Sequence, residues 1–107
     1  MNRLSIVEEF TDSPGARYYE DGPFSGQEFL EKLLEPKFLL SIDNGNILIV
    51  NIDGVWGYPS SFISGSFGLL SQKYGAEKVL KNLEIESESS VLRDRIISII
   101  NSPEEAK

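Results

Sequence analysis

The sequence predicts an α/β domain: a small, mostly parallel or mixed sheet covered by helices. Three observations predict it. Residues 47–52, Ile-Leu-Ile-Val-Asn-Ile, form a near-continuous apolar run rich in β-branched side chains, as in a central strand buried on both faces. The stretches 25–34 and 91–100 place apolar residues at helical spacing behind serines that suit N-caps. Strand and helix patterns alternate as roughly β(β)αβαβα, an order that favours parallel pairing.

The elements follow in order. Leu4-Ser5-Ile6-Val7 reads as a first strand. Thr11 to Gly15 is turn-rich, Ala16-Arg17-Tyr18-Tyr19 reads as a second short strand, and Asp21-Gly22-Pro23 interrupts the chain. Ser25-Gly26-Gln27-Glu28 fits a capping box, with Phe24 and Phe29 at hydrophobic-staple spacing. Phe29, Leu30, Leu33 and Leu34 share one face of the helix that follows, and Pro36 ends it or opens a separate turn. Leu39 to Ile42 is either a strand entering the Asp43–Asn46 turn or the tail of that helix. After the loop Asp53 to Pro59, Ser60 or Ser61 caps a helix carrying Phe62, Ile63, Phe67, Leu69, Leu70 and Tyr74, with Gly75 at its end. A helical turn over 76–82, a last strand over 83–86 and a final helix capped by Ser89 or Ser90 complete a single domain over 1–107. Residues 102–107 read as a frayed polar tail.

Composition narrows the function classes. A chain of 107 residues supports one hydrophobic core. Cysteine and histidine are both absent, which removes thiolate chemistry, cysteine zinc sites and the usual general base. The formal net charge is −7, and lysines and arginines are scattered among acids, so phosphate backbones and anionic membranes are disfavoured partners. The first nine residues contain no long apolar run, so neither a signal peptide nor a membrane anchor is expected, and the expected compartment is the cytoplasm. Glu84, Glu86 and Glu88, with Glu104 and Glu105, show no metal-ligand spacing, and no cofactor-binding motif occurs. The expectation is a binding module, not an enzyme; carboxylate-based catalysis is the minor alternative.

The best functional candidate is the loop from Asn51 to Phe62. It follows the carboxyl end of the central strand, where sites in open α/β sheets lie. It ends at a helix N-terminus, which favours anions. Asp53, Trp56, Tyr58, Pro59, Ser60, Ser61 and Phe62 are the candidate partner-binding residues there, with Trp56 and Tyr58 as aromatic anchors. Arg17 is the remaining candidate, either as a bidentate anion ligand or as the structural partner of Asp21. An exposed Trp56–Tyr58–Phe62 patch pairing two copies of the chain is the alternative to a distinct protein partner.

Residues 47–70 resemble a STAS domain, the sulfate-transporter and anti-sigma-factor-antagonist domain. In that family a strand is followed by an acidic residue, a short loop and an Asp-Ser-Ser-Gly or Asp-Ser-Thr-Gly motif opening a helix. The matching residues are Pro59-Ser60-Ser61-Phe62, with Asn51 and Asp53 near the strand end. Pro59 stands where the motif has aspartate, and Phe62 where it has glycine. The chain is similar over nearly its whole length to a STAS-like family of unknown function. Gly15-Ala16-Arg17, 21–29, Ile52-Asp53-Gly54-Val55, 57–62 and Phe67-Gly68 carry that likeness. The resemblance implies a regulatory module whose partner is a histidine-kinase-type ATPase or a serine kinase. It also implies that Ser60, or failing it Ser61, accepts phosphate.

Overall fold

Residues 2–103 are described by the structure, a computed structural model. Residues 104–107 of the expected tail lie outside the described residues. Strands β1 (Asn2–Ser5), β2 (Leu48–Asn51) and β3 (Leu83–Glu86) form a three-stranded sheet in the order β1-β2-β3. Both pairs are parallel, with Leu4 opposite Val50 and Val50 opposite Ile85. Strand side chains alternate between faces. Leu4, Leu48, Val50, Leu83 and Ile85 therefore share the buried face. The other face carries Arg3, Ile49 and Glu84, then Ser5, Asn51 and Glu86. The central strand is thus buried on one face only, contrary to the two-faced burial its apolar run suggests: Ile49 and Asn51 are half-buried.

Ile6 and Val7 do not extend β1. They open a short helix, α1 (Ile6–Glu9), because Ser5 stops the strand. Its Oγ accepts the Glu8 N–H at 3.3 Å, and the Glu9 carboxylate accepts the Ser5 N–H at 2.9 Å. The second strand expected at 16–19 is absent. The carbonyls of Ala16 and Arg17 instead accept the N–H groups of Gly26 and Gln27 at 2.8 and 2.9 Å. Those amides belong to the first turn of the next helix, which has no internal acceptors for them. The chain between is a 3₁₀ turn, Tyr19–Asp21.

Helix α2 runs through Gly26–Phe29, a π-helical stretch Leu30–Leu34, and Glu35–Asp43. Ser25 caps it as expected, its Oγ accepting the Glu28 N–H at 3.0 Å. The Glu28 carboxylate returns to the Phe24 N–H (3.2 Å), one residue before the cap. Phe24 and Phe29 do not staple directly. The Phe10 ring packs on both, at 5.4 and 5.2 Å between centroids. Pro36 does not end the helix. The Glu35 N–H reaches back five residues to the Leu30 carbonyl, and this widened turn accommodates a proline that would otherwise crowd the preceding turn. Residues 39–42 are therefore helical.

Helix α3 likewise joins Ser60–Ile63, a π-helical stretch Ser64–Gly68, and Leu69–Tyr74. Helices α4 (Ala76–Asn82) and α5 (Ser90–Asn101) follow on either side of β3, and Ser89 caps α5 through the Leu92 N–H at 3.2 Å. The start of α2 lies hard against α3: a Cβ on Gly26 would stand 2.5 Å from the Phe62 carbonyl oxygen. Glycine there permits the close approach. Phe29 then stacks on Phe62 at 5.8 Å and contacts Phe67 at 6.1 Å, placing an aromatic cluster beneath the loop that opens α3.

Candidate functional site

The loop between β2 and α3 is pinned at several points. Asp53 is half-buried and fully engaged. Its Oδ1 accepts the Ser87 hydroxyl at 2.6 Å and its Oδ2 accepts the Glu88 N–H at 3.0 Å. Its own N–H donates to Asn51 Oδ1 at 3.0 Å, and Asn51 Nδ2 donates to Glu86 Oε1 at 2.9 Å. Arg3 donates to the same Glu86 oxygen. That hydrogen bond from Asn51, ahead of the opposing effect of partial desolvation and with help from Arg3, holds the Glu86 carboxyl below its ordinary value. Asp53 thus ties the end of β2 to the loop that starts α5, rather than projecting toward solvent.

Tyr58 and Phe62 require correction as partner-contact residues. Tyr58 is 7% exposed, and its hydroxyl donates to the Ile52 carbonyl at 2.8 Å. Burial, and then the nearby Asp53 charge, push its phenol far above the ordinary value. Phe62 is fully buried against Phe29 and Tyr58. Helical spacing sends Phe62 into the core, and the hydrogen bond to the Ile52 carbonyl holds the loop residue Tyr58 there, so the Trp56–Tyr58–Phe62 surface patch does not form. Trp56 alone projects: it is 87% exposed. Its backbone is nonetheless fixed, since the Trp56 N–H donates to the Asp12 carbonyl at 2.9 Å.

The helix start also differs from expectation. Pro59, not a serine, occupies the cap position, and its carbonyl accepts the N–H groups of Phe62 and Ile63 at 3.0 and 3.3 Å. Ser60 and Ser61 become the first helical residues, so neither side chain caps. Ser60 is exposed and Ser61 half-buried. The Ser60 Oγ accepts a hydrogen bond from Arg95 Nη2 at 2.8 Å. Arg95 escaped sequence reasoning because it lies 35 positions away with no local signal linking it to Ser60. A guanidinium donates and cannot take a proton. Ser60 therefore sits beside a charge that suits an anion, not beside a base that would make it a nucleophile.

Arg17 lies apart from this loop, in a hollow of about 330 Å³ shared with Tyr18, Ser64 and Gln72. Its stem packs over Gly65, where a Cβ would stand 2.9 Å from Arg17 Cγ. Asp21, expected as its ionic partner, accepts the Tyr18 N–H at 3.2 Å and closes the 3₁₀ turn. Among the described residues, no group of three or more acidic, histidine or cysteine side chains is placed to hold a metal ion. No helix among them is long and apolar enough to cross a membrane.

Neither the curated proteins nor the solved structures contain a match to the chain. The family model described as a STAS-like domain of unknown function (DUF4325) matches residues 25–93, from the Ser25 cap through α3 and β3 into α5. With the parallel sheet, the flanking helices and the strand-to-helix loop all in place, the chain belongs to that STAS-like family.

Proposed function

We propose that this chain is a non-enzymatic regulatory module of the cytoplasm that binds another protein through the 53–61 loop, and that phosphate on Ser60 switches the binding. The observation that carries this reading is the exposed Ser60 hydroxyl held 2.8 Å from Arg95. A partner serine kinase, or an ATPase of the histidine-kinase type acting as one, supplies the base that the site lacks. The γ-phosphoryl group of ATP passes to Ser60 Oγ, ADP leaves, and the hydroxyl proton goes to the kinase base. The phosphate brings a charge of about −1.5 to −2, and the planar fork of Arg95 suits it. It also adds like charge to a surface of net −7 and raises the desolvation cost of any interface over the loop. Trp56 supplies the anchor, since exposed tryptophans become interface hot spots once covered.

The single tryptophan gives the assay. Titrating a candidate kinase or ATPase while following Trp56 fluorescence should give equal affinities for wild type and Ser60→Ala. Ser60→Asp should bind about tenfold more weakly, or about 1.4 kcal/mol. Trp56→Ala, which removes the fluorophore and is therefore titrated by calorimetry, should lose about 2 kcal/mol or more. Equal affinity across wild type and both Ser60 variants eliminates the switch. A mass that rises with concentration in the absence of partner assigns the loop to a second copy instead.

A further inference from the structure

The end of α5 leads into the hollow beside Arg17. The Ile100 carbonyl is among the last of the helix and has no helical donor; it accepts the Ser71 hydroxyl of α3 at 2.5 Å. Ile99 packs across Gly68, where a Cβ would stand 3.5 Å from Ile99 Cγ2. The Ser102 N–H still donates to the Ser98 carbonyl at 3.0 Å. Pro103, half-buried, then joins Arg17, Tyr18, Ser64, Leu69 and Gln72 around the hollow of about 330 Å³. Arg17 is the one charged side chain among the described residues that line it. Its place is set from two sides: its carbonyl accepts the Gln27 N–H at 2.9 Å, and its stem crosses Gly65. Ser64, 7% exposed, brings a buried hydroxyl to the same hollow from the π-helical stretch of α3.

We propose that the hollow is a carboxylate site for the chain's own acidic segment: Glu104 or Glu105 seats on the Arg17 guanidinium, with the Ser64 hydroxyl as a further donor, and latches the end of α5 across α3 to the segment before α2. Connectivity delivers this occupant, because Glu104 and Glu105 directly follow Pro103 and successive Cα atoms stand about 3.8 Å apart. Charge selects it, because the planar fork of arginine suits a carboxylate and no acid among the described lining residues competes. Asp21, the acid four residues on, accepts the Tyr18 N–H at 3.2 Å and does not line the hollow. A carboxylate on the same chain is also presented at an effective concentration of about millimolar, ahead of one on a separate molecule. The latch uses neither Ser60 nor the 53–61 loop and stands independently of the switch proposed there.

The full chain labelled with ¹⁵N provides the test, with the Arg17 Nε–Hε signal as the probe. That signal should stand apart from the free-arginine position in the wild type and move toward it in the double variant Glu104→Gln/Glu105→Gln. Glu84→Gln, which removes a charge from the open face of the sheet, should leave it in place. Urea unfolding supplies the coupling. Arg17→Gln and the double variant should each lower the midpoint, and their combination should lower it no further than Arg17→Gln alone, a coupling of about threefold in the unfolding constant. The inference is overturned if the Arg17 signal ignores the loss of both carboxylates, or if the two losses simply add. It is also overturned if acetate or inorganic phosphate binds the wild-type hollow as tightly as that of the double variant, which would make it a site for an outside anion.

Discussion

Alanine normally improves a helix over glycine by up to about 1 kcal/mol, and Gly26 occupies the first turn of α2. Gly26→Ala should nevertheless destabilise this protein. The new Cβ would stand 2.5 Å from the Phe62 carbonyl oxygen and 3.0 Å from the Gly65 carbonyl carbon. Both are backbone atoms of α3, so no rotamer change relieves the contact and the two helices must separate. Forcing extra atoms into a packed interior costs about 1–3 kcal/mol, which exceeds the propensity gain and leaves a net loss of about 1–2 kcal/mol. For a domain near this size that lowers Tm by about 5–15 °C. Thermal unfolding followed by circular dichroism measures it. Gly57→Ala is the control, because nothing lies within 4 Å of that site, and its Tm should stay near wild type. A Gly26→Ala variant with equal or higher Tm would show that backbone contact does not set the α2–α3 spacing.

Two further perturbations probe the site and the fold. Tyr58→Phe leaves the buried Ile52 carbonyl without its 2.8 Å donor and should cost about 1–3 kcal/mol, read as a lower urea midpoint with an unchanged slope; an unmoved midpoint refutes the anchoring role. Glu35 reports on acid stability: burial pushes its carboxyl up, but hydrogen bonds from Lys73 (2.5 Å) and Tyr74 (2.6 Å) outweigh this and hold it below 4.5. A depressed native value means that its contribution is present above 4.5 and is lost as pH falls through the lower folded value. Glu35→Gln should flatten the stability profile in that acid range, and superimposable profiles would refute the assignment.

Local signals in the sequence were sound where the physics is local. The Ser25 cap, the apolar run of β2 and the alternation of β3 all depend on residues a few positions apart, and each element stands where its pattern places it. The strand expected at 16–19 failed because its carbonyls have distant acceptor work to do, at the first turn of α2. Pro36 misled for a different reason: a π-helical turn just before it changes which carbonyl the proline meets. At the candidate site, residue types identified the loop but not its orientation. Trp56 and Tyr58 look alike as loop aromatics, yet only Tyr58 finds a buried acceptor, in the carbonyl that ends β2.

The two departures from the serine motif become intelligible together. Pro59 offers only its carbonyl as a cap, which leaves the Ser60 hydroxyl available to Arg95. Phe62 replaces a flexible position with a ring stacked on Phe29, which fixes the start of α3 from below. The Ser60 hydroxyl is met instead by a donor from α5, Arg95, of opposite charge to an aspartate. In the proposed switch, that arrangement matters beyond electrostatics. Asp53 holds the loop ahead of α5 through Ser87 and Glu88, while Arg95 holds α5 to Ser60 two turns further along. In that switch a phosphate drawing Arg95 toward the start of α3 would pull on the middle of a helix whose N-terminal approach is anchored to the same loop, so the charge change would be delivered to a surface braced on both sides of Trp56.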